Sequence, residues 1–434
     1  MEGGPFHLVG VAGTGMSALA EAMLDSGAAV SGSDRFLDRG EEPPALSALR
    51  AQGVALFPQD GSGVVPGKTA AVVASSAVEP DNPDLAAARA AGIPVLRRAE
   101  ALARVVSGRR LVAVAGTCGK STTAAMLGHV LSEAGLSPSV VNGAPCPAWT
   151  AGGSRTGAVL RGRGPLCVAE VDESDRSLLE FRPAAAVVLN ASADHFPLDE
   201  TNALFDEFLS RVEPGGPVVD DRRRPPPDAE EGAWSVSFRF DGLRLSLPFP
   251  GLHNAADAAA ACRMALALGV PREALAPALA SFPGVSRRMQ LVGRRPGGPR
   301  VVDDYAHNTE KLRSSIVALR DRSERLFAVW RPHGYAPLRK MRADLARMFA
   351  ETLRPCDRLF LLPVFDAGGT ADRSVSSADL AADLAALGVR AALPAVHEEA
   401  ARAILSEAGE RDFAAVFGAR DPALPRLARS LAGA

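Results

Sequence analysis

The chain of 434 residues lacks a disulfide framework. Its five cysteines, Cys118, Cys146, Cys167, Cys262 and Cys356, are scattered, odd in number, and in no pair at metal-ligand spacing. It has no long uncharged apolar run, because every Ala-rich stretch carries charges, and this excludes a helical membrane span. A charge imbalance is missing as well: 48 Lys and Arg stand against 50 Asp and Glu, a net charge of −2. That balance argues against nucleic acid or an anionic membrane surface as the main partner. The N-terminus has no basic segment leading into a signal-type apolar core, which predicts a cytoplasmic protein. There is neither a repeat at solenoid spacing nor a long low-complexity tract.

What is present is alternation. The length suffices for about three domains at roughly 100–200 residues each. Short apolar runs alternate with helical stretches, the pattern of parallel sheets. In the first block, strands are predicted over residues 6–11 and 70–74 and for a run ending at Asp34, with a helix over 16–24 stopped by Gly27. In the second, strands are predicted over 111–115, 166–171 and 185–189, and helices over 122–133 and 255–268. The Pro- and Arg-rich stretch 220–232 reads as an exposed loop. In the third, strands are predicted over 301–304, 326–330, 358–362 and 413–417. The expected fold is α/β in three domains: 1–98 Rossmann-like, 99–296 a P-loop-type ATPase α/β domain, and 297–434 Rossmann-like again.

Two glycine clusters carry chemistry. The first is Gly10-Val11-Ala12-Gly13-Thr14-Gly15, between a strand and a helix, with Asp34 ending the next strand. Glycines there let the backbone approach a phosphate at a helix N-terminus, and an acid about 20 residues on suits a ribose hydroxyl. Alone, this suggests a nicotinamide-dependent oxidoreductase, although Ala12 stands where that fingerprint has its middle glycine. A plain tight turn accounts for the same residues.

The second is Gly116-Thr117-Cys118-Gly119-Lys120-Ser121-Thr122-Thr123, again between strand and helix. Backbone N–H groups of such a loop cradle phosphate oxygens, Lys120 meets the β and γ phosphates, and the Ser121 hydroxyl ligates Mg²⁺. The loop is shorter than the general pattern, with Val114 at the position of the first glycine. An oxidoreductase leaves Lys120 and Ser121 unexplained.

Both clusters in one chain resemble the muramyl (Mur) ligase family. The resemblance runs in family order through residues 7–17, Ser31-Gly32-Ser33-Asp34 and Ser75-Ser76-Ala77-Val78-Glu79-Pro80-Asp81-Asn82-Pro83, then the loop at 116–123. It continues through Glu170-Val171-Asp172-Glu173-Ser174-Asp175, residues 190–195, Pro250-Gly251-Leu252-His253-Asn254, Gly284-Val285-Ser286-Arg287-Arg288 and Asp303-Asp304-Tyr305-Ala306-His307. The set covers nearly the whole chain.

The resemblance implies ATP and Mg²⁺ and the following reaction. The carboxylate of a UDP-N-acetylmuramate-like acid attacks the ATP γ-phosphorus, and an amine displaces phosphate from the acyl phosphate. It implies Lys120, Glu173 and His195 as catalytic, with Ser121, Glu173 and His195 toward metal. ATP would meet Gly116, Thr117, Cys118, Gly119, Lys120, Ser121, Thr122, His253, Asn254, Arg288 and Asp304. The UDP-sugar would meet Gly13, Thr14, Gly15, Met16, Ser17, Asp34, Ser75 and Ser76. The acceptor amino acid would meet His307, His333, Tyr335 and Arg339. ATP ligands on two blocks imply closure around the nucleotide. Small-molecule substrates and a monomer or homodimer are expected.

Simpler roles exist for several of these residues. Asn254 suits a helix cap, Arg287 and Arg288 a solvated basic pair, and Asp172, Asp175 and Asp194 the solvation of loop ends. Cys118, where the family has His or Asn, reads as an inert small residue or a reactive thiol.

The acceptor end departs from the family pattern. In Arg331-Pro332-His333-Gly334-Tyr335-Ala336-Pro337-Leu338-Arg339, Gly334 and Pro337 stand where arginines are expected. Arginine's planar fork suits an amino-acid carboxylate, and neither residue replaces it. Asn308-Thr309 replaces His-Pro, Asp257 replaces an Asn, and the final turn is Gly418-Ala419-Arg420-Asp421. The expectation is retained ATP and nucleotide-sugar handling with a shifted acceptor. A murein-peptide ligase and a catalytically idle homologue stand as alternatives.

Overall fold

The computed structural model describes residues 4–193, 195–224, 226–366 and 372–434. Among these residues the strands form four sheets.

The first sheet has the order β3-β2-β1-β4-β5, from β1 (Phe6–Val9), β2 (Val30–Ser33), β3 (Ala55–Phe57), β4 (Ala71–Ala74) and β5 (Val95–Arg97). Every pairing in it is parallel. Chain order reverses between β1 and β4, so their C-terminal ends open onto a crevice of the kind that takes ligands in open α/β sheets.

The second sheet has the order β11-β10-β6-β9-β7-β8, from β6 (Arg110–Ala115), β7 (Ser139–Val141), β8 (Val159–Leu160), β9 (Leu166–Glu170), β10 (Ala185–Val188) and β11 (Val218–Asp220). Its central strand β6 lies between parallel β10 and β9. From Leu111 to Ala115 it is buried, which is why it reads as a continuous apolar run rather than an alternating one. The helix Lys120–Glu133 after it is buried on nearly all sides, packed against the helix Leu252–Ala267. The Ala-rich face of that second helix keeps the two axes close.

A small sheet, β12 (Ala229–Glu231), β13 (Val236–Phe240) and β14 (Leu243–Leu247), follows. The stretch expected as an exposed loop therefore holds a strand at its end.

The fourth sheet has the order β15-β16-β20-β17-β18-β19, from β15 (Gln290–Gly293), β16 (Arg300–Asp304), β17 (Leu326–Trp330), β18 (Arg358–Leu361), β19 (Ala391–Ala392) and β20 (Phe413–Phe417). It is parallel except for the edge strand β15, which pairs antiparallel with β16.

The chain divides into two compact units. One is Met1–Glu230, Val236–Pro248 and Leu252–Val285; the other is Glu231–Ser235, Phe249–Gly251 and Ser286–Ala434. The last crossing between the units falls after Val285, and the pairing of β15 with β16 carries residues 290–293 into the second unit. The first unit holds the first sheet, which is all parallel, and the second, which is parallel except for its edge strand β8, antiparallel to β7. No described helix is long and apolar enough to cross a membrane.

Candidate active site

The phosphate loop follows β6 and enters the helix Lys120–Glu133 through Gly119, which has φ 84°. Only glycine adopts that conformation without strain, and a side chain there would run into the Asp257 carboxylate. No side chain caps this helix and no acid lies in its first turn. Its N-terminal N–H groups and positive dipole end are thus available to an anion.

Asn190, just past β10, clamps the loop. Its Oδ1 accepts from Thr117 Oγ1 at 2.8 Å and from Cys118 N at 2.9 Å, and its Nδ2 donates to Cys118 O at 3.1 Å. Ser192 Oγ donates to Thr117 Oγ1 at 3.1 Å. The loop is therefore held in shape largely through the backbone of Thr117 and Cys118, and the N–H groups that open the following helix are left to a ligand.

Lys120 Nζ donates to Gly116 O and to Glu173 Oε2, both at 2.7 Å. An ammonium has three donors, so one remains. Burial alone would push Lys120 down, but Glu173, Asp172 and Glu170 outweigh it, and the lysine is held above its usual range. Burial pushes Glu173 up, with Asp172 adding to this and Lys120 opposing it. The geometry at 2.7 Å is that of an ion pair, and the charged form of Lys120 is the firm member. Burial also raises Asp172, but Lys120, the Ser174 N–H and Arg98 overcome it and leave that carboxyl below its usual value.

Ser121 and Glu173 do not meet in the way the sequence suggested. Ser121 Oγ donates to Glu170 Oε2 at 2.7 Å, and Gly143 N donates to the same oxygen at 2.8 Å. Glu170 ends β9, whose register sets it opposite Val114 of β6. A hydroxyl and a carboxylate side by side are hard oxygen donors, which fits Mg²⁺ with water filling the other positions. No cluster of three or more His, Cys, Asp and Glu side chains is placed for a metal among the described residues. His195 is exposed on the segment between β10 and the helix Leu198–Leu209, and Asp194 beside it lies outside the described residues. Cys118 is half-buried and in no disulfide. Thr122 is buried in the first helical turn.

His253 and Asn254 fall inside the first turn of the helix Leu252–Ala267, not ahead of it. Asp257, further along the same helix, stands against Gly119, which places that helix beside the loop.

At the first glycine cluster, Gly13 is the uncapped N-cap of the helix Thr14–Asp25. Thr14 and Gly15 open that helix, while Met16 and Ser17 are buried. Asp34 Oδ2 accepts from Ala12 N at 2.9 Å and its Oδ1 from Phe36 N at 3.1 Å. Burial pushes its carboxyl up, and those two N–H groups oppose the shift. Asp34, just past β2, thus shapes the turn and caps the short helix Arg35–Asp38. Ser75 and Ser76 follow β4 on the other side of the same crevice.

In the second unit, Asp304 Oδ2 accepts from Met289 N at 2.9 Å and Ser315 Oγ at 3.2 Å, and its Oδ1 accepts from Ala306 N at 2.7 Å. Arg288 lies over the Tyr305 ring at 5.1 Å. Arg287 is not a solvated basic residue: it pairs with buried Asp303 at 3.1 Å and donates to Gly418 O at 2.6 Å. His307 and His333 meet edge to face with ring centroids 4.8 Å apart. Burial, with the charges of Lys311, His333 and Arg288, holds His307 well below the usual histidine range, so its ring is neutral. Arg339 is tied instead to Asp372 at 2.8 Å and Ser374 at 3.1 Å, and Tyr335 lies under Arg373.

Two family models match the chain. "Mur ligase family, catalytic domain" covers residues 5–110, and "Mur ligase, glutamate ligase domain" covers 287–420. A UDP-N-acetylmuramate–L-alanine ligase of an Arthrobacter species is 36% identical over 94% of this chain and 91% of its own length. The Mycolicibacterium gilvum protein of the same name is 37% identical over 86% of each chain. The chain belongs to the Mur ligase family. It is an ATP-dependent ligase that forms amide bonds.

Solved structures carry the same fold. The Thermotoga maritima UDP-N-acetylmuramate–alanine ligase superposes with a TM-score of 0.80 at 24% identity, covering 98% of both chains. A murein peptide ligase of Psychrobacter arcticus gives 0.69 at 20% identity over 99% of this chain and 98% of its own. The α/β reading and the ligase reading of the sequence hold.

Sequence reasoning missed two residues of the ligase's phosphate loop surroundings. Glu170 and Asn190 were read only as members of family segments, without a role of their own. Each approaches the loop through strand neighbours, a relation that spacing in the chain does not show.

Proposed function

We propose that this Mur ligase joins the carboxylate of UDP-N-acetylmuramate to the amino group of L-alanine, with ATP cleaved to ADP and phosphate, in the cytoplasmic stage of peptidoglycan synthesis. The observation that carries the reaction class is the paired arrangement at the phosphate loop, Lys120 on Glu173 and Ser121 on Glu170. The substrate assignment rests on the relatives named above.

The remaining Lys120 donor and the N–H groups opening the helix Lys120–Glu133 would take the terminal phosphates. Glu173 and Gly116 O fix the ammonium so that it need not reorganise during phosphoryl transfer. Ser121 and Glu170 would hold Mg²⁺, which when bound neutralises phosphate charge. The Asn190 clamp keeps the loop backbone in one shape, so its N–H groups are aimed before ATP arrives. Gly13, Thr14, Gly15, Met16, Ser17, Ser75 and Ser76 border the crevice that would take the nucleotide-sugar.

A second reading concerns the acceptor. Both arginines of the acceptor segment are already paired, Arg331 with Asp421 and Arg339 with Asp372. The neutral His307 beside His333 offers hydrogen bonds rather than a guanidinium fork. This favours an acceptor other than L-alanine on the same UDP-sugar. ADP release measured with UDP-N-acetylmuramate and a panel of amino acids and a murein peptide decides between them. Strong selectivity for L-alanine refutes the second reading, and no turnover with any muramyl acid refutes both.

A further inference from the structure

Glu170, which accepts from Ser121, is held from a second side as well. Gly143 N donates to the same Oε2 at 2.8 Å. Gly143 lies just past β7, and a side chain there would run into the Glu170 carboxylate. The place of Gly143 therefore decides where the Glu170 oxygens stand relative to Ser121.

Gly143 belongs to the connection 142–158 between β7 and β8. Those strands pair antiparallel, Val141 opposite Val159. The ladder runs on past their ends: Asn142 N donates to Ala158 O at 2.9 Å, and Cys146 N to Gly157 O at 2.7 Å. The two limbs of the connection are thus tied together, and residues 156–158 set the place of 142–146. What holds residues 156–158 comes from the first sheet's side. Glu21, on the helix Thr14–Asp25, accepts with its Oε2 from Thr156 N at 3.1 Å and from Thr156 Oγ1. Its Oε1 pairs with Arg155 Nε at 2.5 Å. Arg155 also reaches Asp25, one turn further along the helix, at 2.6 Å. Thr156 Oγ1 in turn accepts from Ala158 N at 3.2 Å.

Glu21 is fully buried, and burial pushes its carboxyl up while Thr156 and Arg155 oppose the shift. A buried acid is a costly way to fill space, since an apolar side chain of similar volume carries no desolvation penalty. What an apolar residue would not do is fix the backbone of Thr156, and both Glu21 oxygens are spent on that segment.

We infer that Glu21, through Thr156 and Arg155, is a positioning residue for Glu170, setting that carboxylate for the Mg²⁺ it would share with Ser121. The path runs from Glu21 to Thr156, across the ladder to Asn142 and Gly143, and on to Glu170, all within the first compact unit. The inference rests on the reading of Ser121 and Glu170 as the metal site. Groups that orient a metal ligand change metal affinity by about tenfold to a hundredfold, and Glu21 acts at one further remove, so the lower figure is expected.

The test is direct binding of a non-hydrolysable imido analogue of ATP to the whole enzyme, titrated with Mg²⁺ and repeated in EDTA. The proteins are wild type, Thr156→Val, Thr156→Ser, Arg155→Ala and Glu170→Gln. In Thr156→Val the Mg²⁺ concentration that gives half of the metal-dependent gain in affinity is expected to rise about tenfold. Thr156→Ser keeps the hydroxyl and should restore the wild-type value, which a role in packing alone would not predict. Arg155→Ala loosens the same anchor at a partly exposed position, and it should shift the Mg²⁺ dependence in the same direction even if Thr156→Val does not fold. Affinity in EDTA should be the same in all of them. An unchanged Mg²⁺ dependence in whichever of Thr156→Val and Arg155→Ala folds overturns the inference. So does an equal loss in Thr156→Val and Thr156→Ser, and so does a matching loss in EDTA, which would mean that the whole phosphate loop has loosened. A wild type indifferent to Mg²⁺, or a Glu170→Gln variant with wild-type Mg²⁺ dependence, overturns instead the reading of Ser121 and Glu170 as the metal site.

Discussion

Ser121 donates its hydroxyl to Glu170 at 2.7 Å, while Glu173, three residues on, is committed to Lys120 at the same distance. Two carboxylates of one short segment thus serve two adjacent residues of the phosphate loop. The first pair is a hard-oxygen site beside the phosphates, and the second fixes a charge.

Glu170→Gln separates these roles. It keeps the size of the side chain and a hydrogen bond to Ser121 but removes the charge that would hold Mg²⁺. Turnover is expected to fall by about a hundredfold or more, with the Mg²⁺ requirement rising, because charge stabilisation at a phosphoryl site is worth several kcal/mol. A Mg²⁺ titration of ADP release checks it; an unchanged Mg²⁺ dependence contradicts the role given to Glu170.

Lys120→Met is expected to abolish ATP turnover. It also leaves Glu173 buried beside Asp172 without its cation, at a cost of about 3 kcal/mol of stability. The double variant Lys120→Met with Glu173→Gln should recover most of that stability and none of the activity. Denaturant unfolding of the two variants measures the difference.

Asn190→Ala removes the clamp on Thr117 and Cys118. The loop backbone is expected to lose its fixed shape, raising the KM for ATP by about tenfold, the worth of one or two lost hydrogen bonds. The KM for the nucleotide-sugar should not move. A steady-state KM for each substrate is the measurement, and equal increases in both would point to general loosening instead.

Asp421 lies between Arg331 and His397, with His397 Nε2 at 2.9 Å. Burial alone would raise it, but bonds from His397 and Ala423 N and the charge of Arg331 hold it down at about 2, from 3.8. A carboxyl lowered in the folded state contributes stability above its unfolded value, and that contribution is lost as pH falls through the folded one. The stability difference between wild type and Asp421→Asn should therefore be greatest near pH 5 and shrink by about 1 kcal/mol by pH 3. Denaturant midpoints at the two pH values test it, and a difference that grows on acidification contradicts it.

Much of the fold was legible because parallel strands buried on both faces are written as unbroken apolar runs. The strands at 326–330 and 413–417 match β17 and β20 end to end. The edge strand β15 was not legible: it is half-exposed, of mixed polarity and interrupted by a bulge, so nothing in Gln290–Gly293 announces it. β12 was hidden likewise by the prolines and arginines before it. The phosphate loop declared itself through glycine, lysine and serine in fixed order. Its partners did not. Whether Glu170 or Glu173 faces Ser121 depends on the register of β9 against β6, and that Asn190 clamps the loop depends on β10 lying on the other side. These are relations across a sheet, settled by packing rather than by spacing.

The central claim is that the Lys120 loop drives amide formation on a muramyl acid. The most direct measurement is simultaneous quantification of ADP and amide product with UDP-N-acetylmuramate, ATP, Mg²⁺ and the amino-acid panel. The account predicts equal amounts of the two, dependent on Mg²⁺ and absent in Lys120→Met. ADP without amide for every acceptor, or amide formed by the lysine variant, would contradict it.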